Sequence, residues 1–319
     1  MADVTLIGSG AIMRAASDIL SRAGFTLRHA FDVDDRERSP IILGDTPGGY
    51  TLAHEAVNSG RHVLISNPAA LPVERLSLLF ESRRRAQALF VWSDRRYHPG
   101  YRFSRGLVET DATWAPRFLR QETLTTEPAT AGLLRWRVTE SAALLQSLTS
   151  STPMSVSARG TPSALRSTTD YLSLSLGFQN VDGFISVGLG EPVERRETLI
   201  AAADRKVIVD ELNPSVPVRL LNDEPGAPQM VPARWVSYAP PPHEELVRQQ
   251  CLAFLEATAE TALAQEEAQL WQRALGVLAA MERSLQSDSA IVPVAVAPDR
   301  SALRVIAGRF FSPFPSPAA

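Results

Sequence analysis

A short glycine loop near the start of the chain joins an apolar strand to a helix. Residues 4–7 form an apolar run, and Gly8-Ser9-Gly10 follows it directly. Residues 11–23 then place apolar side chains at helical spacing, with Gly24 beyond them. In such a unit the first glycine makes a tight turn, and the second lets the backbone approach a pyrophosphate at the helix N-terminus. The pattern therefore predicts a dinucleotide site that includes Gly8, Gly10, Ala11 and Ile12.

Two further positions bear on this prediction. The third position of the glycine pattern normally holds Gly or Ala, but here it holds Met13, whose larger side chain needs space. Asp32 ends the second predicted strand, near the spacing of a carboxylate that binds ribose hydroxyls. Such a carboxylate favours NAD over NADP because it repels a 2′-phosphate, although Arg36 and Arg38 would weaken that preference. We expect NAD or NADP as the cofactor, with NAD slightly favoured; a plain turn and strand end is the alternative.

Strand and helix patterns alternate through the first third of the chain with short connections, which is typical of a doubly wound parallel sheet. We therefore predict an α/β protein in which residues 1–115 form an N-terminal Rossmann domain. Its remaining strands are predicted at 27–31, 41–43, 62–65 and 88–92, and its remaining helices at 50–59 and 73–86.

Residues 116–319 have a different character, with longer segments rich in Thr, Ser and Val. They predict a C-terminal α/β domain with an open, mostly antiparallel sheet that binds substrate or forms a dimer contact. Residues 213–242 are rich in Pro and Gly and predict an irregular excursion, whereas 244–286 predict two helices that can pack back on the first domain. The strands are predicted at 117–124, 154–159, 183–189, 197–202 and 206–210, with a helix at 132–148.

Composition excludes several classes of function. The net charge is −3, so there is no general basic field for nucleic acid or a membrane surface. The single cysteine, Cys251, rules out a disulfide framework within one chain and predicts a buried thiol. His29, His54 and His62 show no metal-ligand spacing, so no metal site is predicted. With no signal peptide and no apolar stretch of about 20 residues, we expect a cytoplasmic protein.

Several segments, in order, resemble the Gfo/Idh/MocA family, the relatives of glucose–fructose oxidoreductase and inositol dehydrogenase. Thr46-Pro47 matches the family's Thr-Pro loop, and residues 60–68 match its Gly-Lys-His-Val-Leu segment followed by Glu-Lys-Pro. Residues 95–102 are similar to its Arg-Arg-Phe-x-Pro segment. The resemblance implies an active site between the two domains and a homodimer or higher oligomer. It also implies cofactor contacts from Thr46, Pro47, Asn67 and Pro68.

The departures from the family pattern fall at its catalytic positions. Ser66-Asn67-Pro68 replaces Glu-Lys-Pro, so the family's lysine is Asn67. In the best register of the family's Asp-x-Gly-x-His-x-x-Asp helix start, Thr139 replaces the proton-transferring His and Ala142 replaces the Asp. Neither threonine nor asparagine can act as a base at neutral pH. Sugar dehydrogenase activity is therefore not expected from the resemblance.

Three interpretations remain open. The chain is an oxidoreductase with an atypical active site that reduces an imine or another polarised double bond, a catalytically inactive nucleotide-binding scaffold or regulator, or a non-redox enzyme on the same fold. A reductase needs one proton donor beside a nicotinamide. Taken singly, Tyr97 and Tyr101 are better explained by aromatic packing at the domain junction, and His98 by a bond to the backbone. The reductase's small-molecule substrate would be anionic if Arg135 and Arg137 face the site. The candidate donors are Tyr97, His98, Tyr101 and Glu140.

Overall fold

The computed structural model describes residues 3–31, 33, 39–93, 95–162, 169–213, 215–222, 229–231 and 243–295. Asp32, Arg36 and Arg38, on which the choice between NAD and NADP depends, lie outside the described residues, as does the tail from residue 296. None of the described helices combines the length and apolar character that crossing a membrane requires.

Within the described residues, the first sheet has five parallel strands with helices between them. Its elements are β1 (Asp3–Ile7), α1 (Ala11–Arg22), β2 (Thr26–Ala30), β3 (Ile41–Leu43), α2 (Gly49–Asn58), β4 (Val63–Ile65), α3 (Val73–Ser82) and β5 (Leu89–Val91). The strand order is β2-β1-β3-β4-β5. The short strands β3, β4 and β5 are buried along their whole length, as expected for a sheet covered on both faces. The predicted Rossmann sheet is confirmed.

Helix α3 ends four residues before the predicted position. Arg83 takes an extended backbone conformation, with φ −63° and ψ 146°. Its guanidinium then donates to the carbonyl oxygens of Arg84, Arg85 and Gln87. The chain therefore turns into β5 at a point where the sequence pattern alone predicts further helix.

The Met13 side chain fits because the residue beside it, directly after β3, is a glycine, Gly44. The Met13 side chain is only 5% exposed and belongs to the core beneath α1. A Cβ on Gly44 would lie 2.3 Å from the Met13 Cγ and 2.5 Å from the Ser9 carbonyl oxygen. The absent side chain at Gly44 thus accommodates the large residue in the third position of the glycine pattern.

Among the residues that the structure describes, nine strands form the second sheet. They are β6 (Phe118–Thr125), β7 (Ser155–Pro162), β8 (Thr169–Gly177), β9 (Asp182–Leu189), β10 (Arg195–Ala201), β11 (Arg205–Asp210), β12 (Val218–Asn222), β13 (Gln229–Val231) and β14 (Val292–Pro293). Their order is β13-β12-β11-β10-β6-β9-β8-β7-β14, and every neighbouring pair is antiparallel except β6 and β9. The predicted open, mostly antiparallel sheet is confirmed.

Two parts of this sheet differ from the sequence prediction. Of the irregular excursion expected at 213–242, the described residues 218–222 and 229–231 form β12 and β13, because β12 pairs with β11 and β13 pairs with β12. Residues 214, 223–228 and 232–242 lie outside the described residues. Strand β8 was also not predicted, although its Leu172, Leu174 and Leu176 alternate with serines and are buried. That two-residue period is typical of a strand with one buried face.

Four further helices of the described chain pack around the two sheets. They are α4 (Pro99–Thr110), α5 (Ala131–Thr149), α6 (His243–Ala259) and α7 (Thr261–Gln286). Helix α6 packs on α1, where Val247, Cys251 and Phe254 join the core of the first sheet. Burial raises the pKa of the Cys251 thiol to about 12, so this thiol stays protonated. Helices α5 and α7 pack together through the stacked rings of Trp136 and Trp271, whose centroids are 5.3 Å apart.

Replacing Gly44 with alanine tests the packing around Met13. The new Cβ would meet the Ser9 carbonyl oxygen at 2.5 Å, and a backbone oxygen cannot rotate away as a side chain can. We expect Gly44→Ala to lower the free energy of unfolding by about 1–3 kcal/mol in urea denaturation.

Gly106→Ala is the matched control, because no atom lies within 4 Å of its added Cβ. In the interior of α4 this substitution should stabilise the protein by about 0.5–1 kcal/mol. Equal effects of the two substitutions would contradict the proposed role of Gly44.

Candidate functional site

The glycine loop adopts backbone conformations that favour glycine. Gly8 has φ 99° and Gly10 has φ 117°, both in the region that other residues rarely enter. Helix α1 begins immediately after Gly10 and has no side-chain cap. The first N–H groups of α1 therefore remain available to an anionic group placed over the loop.

A second loop, after β3, lies directly against the glycine loop. Asp45 and Ser9 exchange two backbone hydrogen bonds of 3.0 and 2.9 Å. The Asp45 Oδ2 atom is 3.1 Å from the position of a Cβ on Gly10, and the Asn67 Nδ2 atom donates to Asp45 Oδ1 over 2.6 Å. Sequence reasoning missed Asp45, although it directly precedes Thr46-Pro47. Its carboxylate places a negative charge beside the open end of α1.

These loops form one wall of a cleft with a cavity of about 360 Å³. Gly10, Ala11 and Ile12 line it together with Asn67 and Pro68, so the structure brings these predicted cofactor residues to one place. Thr46 instead lines a neighbouring cavity beside Tyr50 and Arg75. The remaining lining residues are Ser9, Asp45, Ser66, Ala69 and Trp92 on the side of the first sheet, and Glu127, Leu133, Trp136, Arg137 and Glu140 on the opposite side.

Glu140 holds a fixed position on the far wall of the cleft. Its side chain is only 2% exposed, and it accepts hydrogen bonds from the Ser93 hydroxyl at 2.9 Å and from Arg137 at 3.2 Å. Arg137 also donates to Glu127 over 2.9 Å. Burial lowers the pKa of Arg137, but Glu140 and Glu127 outweigh burial and raise it above the ordinary value. The guanidinium therefore stays charged and is shared by two carboxylates.

Behind Glu140 lies a second, fully buried guanidinium, that of Arg95. Its Nε atom is 3.7 Å from a carboxylate oxygen of Glu140 and 3.5 Å from one of Glu211. Its other nitrogens donate to the hydroxyls of Ser141 at 3.2 Å and Thr123 at 2.7 Å. Arg95 thus joins the segment after β5 to α5, to β6 and to the turn after β11.

The other three predicted donors lie apart from the cleft lining. The Tyr101 hydroxyl donates to Glu211 over 2.6 Å and lies 2.7 Å from the Thr198 hydroxyl. Burial, followed by Glu211, raises its pKa well above the ordinary value. His98 caps α4 by accepting from the Gly100 N–H at 3.2 Å, and burial lowers its pKa. Tyr97 and Tyr101 line a different cavity.

The residues at the family's His and Asp positions, Thr139 and Ala142, are buried in α5 and do not line the cleft. Thr139 is buried and donates to the Arg135 carbonyl oxygen over 2.8 Å, and Ala142 is buried in the core. The Arg135 side chain pairs with Glu282 at 2.8 Å. The cleft acid, Glu140, lies one position after Thr139. Sequence reasoning included Glu140 among the candidates but could not place it opposite the glycine loop.

Neither a protein-family model nor a curated protein matches the chain, whereas many solved structures match its fold. UDP-N-acetylglucosamine 3-dehydrogenase from Acidithiobacillus ferrooxidans is 20% identical, with a TM-score of 0.68, over 89% of this chain and 98% of that one. Levoglucosan dehydrogenase in complex with NADH is 14% identical, with a TM-score of 0.70, over 92% of this chain and 99% of that one. An oxidoreductase from Sinorhizobium meliloti is 13% identical, with a TM-score of 0.73, over 91% of this chain and 99% of that one.

These neighbours show the fold of the chain. They match about nine-tenths of the chain and nearly the whole of each partner structure. The chain has the fold of the Gfo/Idh/MocA type of oxidoreductase, as the sequence resemblance implies. At 20% identity or less, the likeness concerns architecture, so the chemistry has to be argued from the cleft itself.

Substituting Arg95 tests its role as the central buried cation. Arg95→Met keeps much of the side-chain volume but leaves Glu140 and Glu211 buried without this partner. We expect a loss of about 3–5 kcal/mol in the free energy of unfolding, measured by denaturant titration.

Arg105→Met, which breaks the exposed pair with Glu109 in α4, is the control and should cost about 0.3–0.5 kcal/mol. If the Arg95 variant loses no more than this control, the buried network does not stabilise the junction.

Proposed function

We propose that the chain is a reductase that uses NADH or NADPH to reduce a carbon–nitrogen double bond in the cleft. The observation that carries the proposal is the composition of the cleft walls. An uncapped helix start and a glycine loop form one side, and carboxylates with two tryptophans surround the remaining space. The fold of the dehydrogenase neighbours supports a nicotinamide cofactor.

The residues present fit a dinucleotide with one opposing charge. The diphosphate would rest on the N–H groups that follow Gly10, where a helix start favours negative charge. Asn67 and Pro68 would lie beside the nicotinamide half, as the family resemblance implies. Asp45 opposes this arrangement, because its carboxylate is close to Gly10. When bound, the reduced nicotinamide supplies a hydride.

The charges of the cleft favour a cationic substrate over the anionic one considered from the sequence. Three lining carboxylates, those of Asp45, Glu127 and Glu140, face a single lining guanidinium, that of Arg137, and Arg137 is already paired with two of them. The rings of Trp92 and Trp136 add aromatic faces, which attract cations. The pair of arginines that suggested an anion is therefore neutralised within the chain.

A protonated imine suits this cleft because it arrives with its proton. Hydride addition to its carbon gives a neutral amine, so no side chain has to donate a proton in that step. The carboxylates of Glu127 and Glu140 would bind the positive nitrogen and keep it protonated. An ammonium at position 67, which lines the cleft, would repel the same cation. Asn67 is thus consistent with this chemistry.

A nucleotide-binding protein without redox activity is the second candidate. The observation that favours it is the Asp45 carboxylate, which weakens the attraction of the helix start for a diphosphate. The two candidates differ in whether a bound nicotinamide reacts.

Titration with NADH and with NADPH by calorimetry tests the cofactor site. We expect binding of at least one, and Asp45→Asn should tighten it about ten-fold because it removes the opposing charge but keeps a similar shape. Asp18→Asn, on the exposed side of α1, is the control and should leave affinity unchanged. An absence of binding of both nucleotides at about 1 mM would refute the reductase proposal.

Turnover of a cyclic N-methyl iminium salt tests the substrate charge. Because this ion carries a fixed charge and needs no proton, its reduction should proceed, whereas a ketone of the same shape should not react. Glu127→Gln should raise KM for the iminium about ten-fold without weakening NADH binding. Glu109→Gln, on the exposed face of α4, should change neither. Equal KM values in the two variants would show that the cleft carboxylates do not bind the cation.

A further inference from the structure

A second cavity, of about 420 Å³, lies between α4, α5 and α6, and neither the proposed cofactor nor the proposed substrate uses it. Leu144, Leu252 and Ala253 give it an apolar portion, and Leu144 is fully buried in the core. Four arginines line the same cavity: Arg96, Arg102, Arg105 and Arg248. The carboxylate of Glu256 also lines it, but the four guanidiniums outnumber this single acid. An apolar surface next to an excess of guanidiniums is complementary to an organic anion.

The arginines of this cavity differ in how they are paired. Arg96 is ion-paired with Glu267, Arg105 donates to Glu109 over 2.6 Å, and Arg248 makes two bonds of 2.7 Å to Glu245. Arg102 instead donates to the neutral amide oxygen of Gln249 over 2.9 Å. Among the residues that the structure describes, no carboxylate lies within ion-pair distance of Arg102. Its charge is therefore the one that a bound anion would neutralise.

Tyr97 provides a further polar group in the same cavity. Its side chain is largely buried, and burial, followed by the nearby Glu267, raises its pKa well above the ordinary value. Within the described part of the chain, its hydroxyl has no hydrogen-bond partner. The hydroxyl can therefore donate a hydrogen bond to a ligand oxygen in this cavity. The Tyr101 hydroxyl, by contrast, is already bonded to Glu211.

We infer that this cavity binds an organic phosphate monoester. Guanidiniums bind phosphate through paired N–H groups, so the phosphate would contact Arg102 and draw on Arg105 and Arg248. The exposed pair Arg105–Glu109 is worth only about 0.3–0.5 kcal/mol, so exchanging its partner costs little. The organic part of the ligand would cover Leu144 and Leu252, next to Tyr97. This site is separate from the cleft and does not depend on the proposed reductase activity.

Calorimetry on the full chain with phenyl phosphate, inorganic phosphate and phenol tests the inference. We expect phenyl phosphate to bind, with inorganic phosphate and phenol each at least about ten-fold weaker, because the charge and the apolar group contribute together. No binding of phenyl phosphate at about 10 mM overturns the inference. Equal affinity for inorganic phosphate also overturns it, because it would show only a general attraction of anions to arginines.

Three variants locate the binding. Arg102→Ala should weaken phenyl phosphate binding about ten-fold, and Tyr97→Phe should weaken it about three-fold. Arg85→Ala removes an exposed arginine on the connection after α3 and should have no effect. NADH binding should be the same in all three, which separates this site from the cleft. An equal loss for Arg102→Ala and Arg85→Ala would contradict the assignment.

Discussion

The arrangement of the two sheets depends most on the ion pairs and hydrogen bonds of the buried Arg95 guanidinium. Arg95 follows the last strand of the first sheet and contacts α5 and β6, together with the carboxylates of Glu140 and Glu211. Removing a charge from water is costly, and only close partners offset that cost. These partners come from separate parts of the chain, so the charge favours one way of joining them. Glu140 is thereby held against the cleft.

The same network explains why the cleft has an acid at an unexpected position. A chain of alternating charges runs from Glu127 through Arg137, Glu140 and Arg95 to Glu211. It contains three carboxylates and two guanidiniums, and Arg196 also acts on Glu127 from outside the cleft lining. On the lining itself, the carboxylates of Asp45, Glu127 and Glu140 face the guanidinium of Arg137. These carboxylates on the two walls would attract a cation.

Much of the fold could be predicted because its signals are local. The apolar run before Gly8 and the helical spacing after Gly10 specify the first strand–helix unit, and Gly60 ends the next helix of the pattern. Long-range pairing was harder to predict, since β12 and β13 form at a sheet edge from a proline-rich segment. The end of α3 is a local feature, where Arg83 bonds to carbonyls beyond the helix. Neither feature follows from periodicity.

The site was predictable on one wall and not on the other. Gly10, Ala11, Asn67 and Pro68 belong to recognisable motifs, and they do line the cleft. Asp45 has no motif of its own, and its effect arises from a bridge to Ser9 that is distant in sequence. Tyr97, His98 and Tyr101 carry suitable chemistry for proton transfer, but their segment places them on the side away from the glycine loop. Residue type alone could not separate these three from Glu140.

Hydride transfer to a carbon–nitrogen double bond in the cleft can be followed with NADH that carries deuterium on the hydride-donating carbon of its nicotinamide ring. The labelled NADH is prepared separately for each ring face, and a cyclic N-methyl iminium salt is the acceptor. Deuterium from one face should appear on the carbon next to nitrogen in the amine product. Bound NADH that yields no labelled amine from either face would rule out this hydride transfer and favour a nucleotide-binding protein without redox activity.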